Sequence, residues 1–244
     1  MSERRYKHPT IVEAVFELRF PIAKSWGISS FVEFAGLAKQ RGYPNLVDAA
    51  QGFQVNFPIS SGGAPTMTPV ASRVQTWNEE GTQLWQASPQ AYAANRRAPY
   101  EGWEKFRPHI LEGLELYREI AEPEQAEALV MQYINRIEVD IPRFRPSDLV
   151  LFVPPEIKYA SVVNNFVCRT EQFFDDGGQI AVTSARDLSA QNGIVVVLDI
   201  LYTARQPNLE QGVLMNEVDK AHSRIVEAFE KSITDLLREG MEPV

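Results

Sequence analysis

One short pattern occurs twice in this chain, as Glu79-Glu80-Gly81-Thr82-Gln83-Leu84 and, 96 residues later, as Asp175-Asp176-Gly177-Gly178-Gln179-Ile180. Two carboxylates followed by a Gly that can take positive φ form a hairpin turn, so each copy predicts a pair of antiparallel strands. Two further echoes fall in the same order. Phe16-Glu17-Leu18-Arg19-Phe20-Pro21 is matched by Ile137-Glu138-Val139-Asp140-Ile141-Pro142 at an offset of 121, and Ile110-Leu111-Glu112-Gly113-Leu114-Glu115 by Ile225-Val226-Glu227-Ala228-Phe229-Glu230 at 115. An internal repeat constrains architecture before any single element is assigned. The expectation is an α+β fold of two similar β-α-β-β-β-α halves, residues 1–123 and 124–244, with antiparallel sheets and helices packed on one face.

The local patterns fill in that frame. Ile11 to Phe20 alternates with the period of a half-buried strand, and Pro21 ends it. A helix capped at Ser29 or Ser30 follows, stopped by Gly42 and Pro44. Gly52 to Phe57 reads as a strand and Ser60 to Pro69 as a loop. The segments 70–77, 82–87 and 91–95 read as a meander around the first acidic turn. Glu101 to Ile120 carries Trp103, Phe106, Ile110, Leu114 and Tyr117 at helical spacing. The second half repeats this order: a strand over 129–141, a short helical or irregular piece over 147–152 and three strands over 162–174, 179–184 and 194–202. A single long helix from about Asn208 to Glu239 closes the chain.

Composition narrows function by exclusion. In 244 residues, 24 Lys and Arg face 32 Asp and Glu, for a net charge of -8 that disfavours non-specific contact with a phosphate backbone. Apolar residues at 44% suffice for a core without staples, and one cysteine, Cys168, excludes an intrachain disulfide and suits a reducing, cytoplasmic setting. The basic, polar start from Met1 to His8 has no apolar core behind it, and no run reaches the length of a membrane span.

Catalytic signatures are absent from the sequence. There is no Gly-x-Ser-x-Gly elbow, and Cys168 falls within a predicted strand, where a buried structural thiol is expected. His8, His109 and His222 are isolated and fit no zinc spacing, so no metal is assigned; the two helical histidines read as surface or satisfied core residues. Gly62-Gly63 and Gly177-Gly178 lack the context of a phosphate loop, so no cofactor is assigned. The carboxylates of the acidic turns read as solvated turn chemistry rather than cation ligands. Asp199 interrupts the run from Ile194 to Leu201, apolar on both faces, and must be paired, hydrogen-bonded or protonated. Arg136 and Arg19 are its candidate partners in a buried clamp. Arg96 and Arg97, with Tyr100 and Trp103, form the compact basic and aromatic cluster expected of a contact surface, placed in a loop.

Four stretches carry a resemblance: Pro9-Thr10-Ile11-Val12-Glu13-Ala14-Val15-Phe16-Glu17-Leu18-Arg19-Phe20, Asn95 to Trp103 (NRRAPYEGW), Tyr133 to Glu138 (YINRIE) and Leu198-Asp199-Ile200. Together they are similar to a sporadically distributed bacterial family of about this length without an established activity. The resemblance implies no catalytic residue. The patchy distribution it brings suggests mobile-element, defence or toxin-antitoxin settings. The paired-half layout also resembles the saddle of TATA-box-binding proteins, without carrying their function.

The sequence therefore predicts a non-enzymatic, cytoplasmic binding or regulatory protein acting through a protein partner, by the sheet face or by Arg96, Arg97, Tyr100 and Trp103. Nucleic acid is disfavoured by the acidity, and a homo-oligomer is left open. A second reading is a small-ligand sensor with a cavity between the sheet and the C-terminal helix. A third, lesser one is a hydrolase using Asp199 with Arg136 and Glu138.

Overall fold

A computed structural model describes residues 5–21, 26–49, 53–56, 66–69, 73–139, 145–153, 165–187 and 194–244. The first half contains β1 (Ile11–Arg19), α1 (Ile28–Gln40), β2 (Asn45–Ala49), β3 (Phe53–Asn56), β4 (Thr66–Pro69), β5 (Arg73–Trp77), β6 (Gln83–Ser88), β7 (Ala91–Arg97) and α2 (Trp103–Ala121). The chain continues with β8 (Ala128–Val139), α3 (Pro146–Leu149), β9 (Val167–Phe173), β10 (Gln179–Arg186), β11 (Ile194–Arg205), α4 (Gln211–Ser232) and α5 (Asp235–Gly240). The fold is mixed α+β. Its main element is one nine-stranded antiparallel sheet in the order β2-β5-β6-β7-β1-β8-β11-β10-β9, rather than a sheet for each half; β3 and β4 form a separate pair.

The alternation of β1 sets its place at the centre. Ala14, Phe16, Leu18 and Phe20 are buried with the helices, while Glu13, Val15, Glu17 and Arg19 point to the opposite face. β1 pairs with β7 on one side and β8 on the other, with Phe16 opposite both Ala94 and Met131. The acidic turns join β5 to β6 and β9 to β10, and Gly81 and Gly177 take the expected left-handed conformation, φ 66° and 82°.

Several elements differ from the sequence expectation for local reasons. α1 begins after Gly27, and Ser30 lies inside it, its Oγ accepting from the Gly27 N–H at 3.2 Å. Thr66 to Pro69, expected as loop, is β4; residues 60–65 of that stretch lie outside the described residues. The short segment Asn45–Ala49 forms the edge strand β2, which the sequence reading missed. Residues 140–141 and 162–164 of the expected strands also lie outside the described residues.

The long C-terminal helix is two helices. At Ile233 the backbone turns extended and bridges Val150. Thr234 donates its hydroxyl to the Asp148 carbonyl at 2.7 Å, and its oxygen caps α5 by accepting from the Leu237 N–H. Two β-branched residues in succession, with backbone partners available on α3, favour this break over continued helix.

Among the described residues, no helix is long and apolar enough to cross a membrane. The helix-bearing face holds the core, with Phe106, Ile110 and Tyr117 of α2 and Val218, Ala221 and Ile225 of α4 packed onto the strands. The opposite face covers itself with polar side chains. Arg73 of β5 reaches Glu17 of β1 at 2.7 Å across Ser88, Ala91 and Ala93, whose small side chains leave room for it, and Arg19 binds the same carboxylate at 2.6 Å. Burial pushes the Glu17 carboxyl up, but Arg73 and Arg19 outweigh it and hold the group below its usual range.

Candidate functional site

The turn between β7 and α2 is built by its own sequence. Arg96 does not lie in a loop: it is on β7, facing the helices, 4% exposed, and ion-paired to Glu101. Burial lowers the affinity of its guanidinium for a proton, and its Nε has no hydrogen-bond partner. Gly102, at φ 101°, turns the chain into α2, where Trp103 is the first residue. Arg97, the next residue of β7, points to the opposite face, exposed, with its guanidinium 5.7 Å from the Trp77 ring centre. The four residues expected to form one contact surface are thus divided among the interior, the open face and a cavity.

That cavity is where Tyr100 and Trp103 belong. It has a volume of about 330 Å³ and lies between the start of α2, the C-terminal half of α4 and the segment leading into β1. Hollows of about 550 and 760 Å³ border Gln206 to Asn208 near the other end of the sheet, but their walls are more polar. Three of the four stretches singled out in the sequence converge on the smaller cavity, through Thr10, Tyr100, Trp103, Tyr133 and Asn135. Asn135 accepts from Thr10 at 3.0 Å and donates to the carbonyl of Leu198, from the fourth stretch, at 3.2 Å.

A hydrogen-bonded chain runs from the cavity wall into the interior. The Tyr100 and Tyr133 hydroxyls lie 2.9 Å apart, and Tyr133 lies 2.8 Å from Nδ1 of His222. Trp103 stacks flat on His222, with centroids 4.1 Å apart and planes 4° from parallel, fixing both rings. His109 is buried in the same way, with Nδ1 2.9 Å from the Tyr43 hydroxyl and Nε2 3.2 Å from the Asn95 carbonyl. Burial, with the charge of Arg96 adding to it, lowers the His109 pKa to about 4, so its ring is neutral. Of the two sequence readings of these histidines, satisfied core residues is the one observed.

The remaining candidates are placed apart from the cavity. Asp199 sits on the face opposite the helices, where Gln132 donates to it at 2.8 Å. Burial pushes its carboxyl up, partly offset by Gln132 and the charge of Arg169. The structure does not join it to Arg136 or Arg19. Arg136 binds Glu138 at 2.6 Å and approaches Asp187 at 3.7 Å, while Arg19 binds Glu17. The expected Asp-Arg clamp is therefore replaced by an amide-carboxylate pair, whose register across β8 and β11 the sequence did not disclose. Cys168 is half-exposed on the edge strand β9, not buried.

The second acidic turn is not merely solvated. Asp176 accepts two bonds from Arg224, at 3.0 and 2.9 Å, and approaches Lys220 at 3.3 Å, which docks the hairpin on α4. These partners and the Gly178 N–H hold its carboxyl well below the usual range. Among the described residues, no group of three His, Cys, Asp or Glu could hold a metal ion. Comparison of the chain with protein-family models, curated proteins and solved structures returned no match.

Proposed function

We propose that this protein is a non-enzymatic binding protein that takes a small ligand into the cavity between α2 and α4. The observation that carries the reading is convergence: segments far apart in sequence bring Thr10, Tyr100, Trp103, Tyr133 and Asn135 to one mainly apolar hollow of about 330 Å³. That is the low end of the size range of small-molecule sites, and a mainly apolar wall with a few fixed polar groups is their usual chemistry. The hydrolase reading gains no such support, since Asp199 has no hydrogen bond to Arg136 or Glu138.

The architecture behind the site we read as a duplication of residues 1–123 into 124–244. The sheet order supports it, running outward from the centre as β1-β7-β6-β5 on one side and β8-β11-β10-β9 on the other. On this reading β2 is an addition to the first half, outside β5.

The test is thermal denaturation of the purified protein in fractions of a small-molecule extract, with native mass spectrometry of the protein as isolated. Wild type should gain stability from at least one fraction, whereas Val226→Trp, which fills the hollow from α4, should gain none. A wild type that responds to no fraction and carries no bound mass overturns the reading. A second reading, a macromolecular partner on the open sheet face, is favoured by Arg97 presented over Trp77. Loss of a captured partner on Arg97→Glu, with the Val226→Trp variant unaffected, would select it.

A further inference from the structure

The walls of the cavity carry five charged side chains, and every one has an opposite charge within the protein. Arg5 pairs with Glu104, Lys7 with Glu242 at 3.0 Å, Glu101 with Arg96, and Glu230 with Arg238 at 2.9 Å. Tyr6 also donates to Glu230, at 2.6 Å. Adjacent charges of opposite sign cancel beyond a few ångströms, so the hollow offers no net field to a charged ligand. A ligand ion would instead have to take a partner from an existing pair. At Glu101 that would strand a buried guanidinium, because the Arg96 side chain is 5% exposed.

The uncharged part of the wall points to a flat molecule. Trp103 is held by its stack on His222, and Tyr100 meets Tyr133 edge to face, with centroids 5.6 Å apart at 61°. Rings fixed in this way present preformed stacking and edge surfaces. The hydroxyls of Tyr100 and Tyr133, 2.9 Å apart on the same wall, add polar groups beside these rings. Asn135 and Thr10 supply a second amide and hydroxyl on the same wall.

We propose that the occupant of this cavity is an uncharged one- or two-ring aromatic molecule bearing a hydroxyl or N–H group. The proposal rests on the cavity being a ligand site and adds the class of ligand. Titration calorimetry with three probes that share one ring system tests it: indole, the indole-3-carboxylate anion and the tryptamine cation. Indole should bind at least tenfold more tightly than either ion, and Val226→Trp should abolish the heat. Independently of any variant, indole should shift the Trp103 indole N–H resonance of the wild-type protein.

An ion that binds as tightly as indole, displacing that resonance, overturns the ligand class and leaves the cavity as a ligand site. Indole binding that leaves the Trp103 resonance unmoved, or persists in folded Val226→Trp, overturns the location. Failure of all three probes overturns the class proposal; whether the cavity binds anything is then decided by the extract experiment above.

Discussion

Gly113 lies mid-way along α2 in contact with β6 and β7, and replacing it by Ala should have the opposite sign to the one helix propensity gives. In an exposed helix the change is favourable by about 1 kcal/mol, because Gly carries the larger entropy cost of folding. At position 113 a Cβ would stand 2.4 Å from the Tyr92 hydroxyl and 2.5 Å from Nε1 of Trp85. Both atoms are anchored, Trp85 donating to the His109 carbonyl at 3.0 Å and Tyr92 to the Ile110 carbonyl at 2.9 Å. Both rings are fully buried, so neither can swing into solvent.

Crowding of this kind costs roughly 1–3 kcal/mol, and displacing two buried hydrogen bonds costs about 1 kcal/mol each. Against the gain of about 1 kcal/mol in propensity, the net is a destabilisation of about 2–4 kcal/mol. For a chain of this size that is a fall in Tm of roughly 4–16 °C. The control is Gly36→Ala on α1, where a Cβ meets nothing within 4 Å. It should stabilise by roughly 0.5–1 kcal/mol. Thermal and urea unfolding of both variants read the two signs directly. A Gly113→Ala protein as stable as wild type would refute the close packing of α2 on Trp85 and Tyr92.

Three further outcomes follow from the polar interior. Because the neutral His109 ring has its pKa lowered to about 4, the unfolded state binds the extra proton below about pH 6.5 and stability falls with pH from there to about 4. Urea unfolding at pH 7 and 5 should differ by about 2 kcal/mol from this group, and His109→Gln should flatten that interval; below it, Glu17 and Asp176, both held low, add their own loss. Asp199→Asn should stabilise at pH 7, since burial disfavours the charged carboxylate and Asn keeps an acceptor for Gln132; the advantage should shrink as pH falls, and a less stable variant would contradict the placement. Tyr133→Phe, which removes one bond from Tyr100 and one from His222, should cost about 1–3 kcal/mol by urea unfolding.

How much of this was legible in the sequence depended on whether the deciding contact was local. The alternation of β1, the Gly turns and the apolar stripes of α2 and α4 are local signals, and each marked its element. β7 was harder. Ala91, Ala93 and Ala94 are small on both faces, so the segment has no period by which Arg96 could be assigned to the interior. The break at Ile233 depends on backbone groups of α3, more than 80 residues earlier. Asp199 was correctly marked as needing a partner, but the partner is set by the β8–β11 register, which pairs Asp199 with Ile134, beside Gln132. The cavity was expected only as a gap under the C-terminal helix. Its aromatic wall comes from the start of α2 and from β8, and the stacking of Trp103 on His222 has no signature in either segment alone.

Where the cavity lies bears on the proposed duplication. On the offset of 115 that relates α2 to α4, Trp103 corresponds to Val218 and Tyr100 to Met215; on the offset of 121 that relates β1 to β8, Tyr133 corresponds to Val12. None of the three aromatic residues has an aromatic counterpart, and Val218 is an ordinary core residue at 1% exposure. A duplicated scaffold would supply the central β1–β8 pair and a helix over each half, leaving a seam between α2 and α4. Arg107 and Asp219 bridge that seam at 2.8 Å. The aromatic side chains found in one copy only then line it at one end, where Tyr6 and Lys7 also bind Glu230 and Glu242. On this account the repeated elements carry the fold and the departures from the repeat carry the site, so the two acidic turns serve packing: Asp176 docks its hairpin on α4, while Asn78 organises the other by accepting from the Thr82 and Gln83 N–H groups.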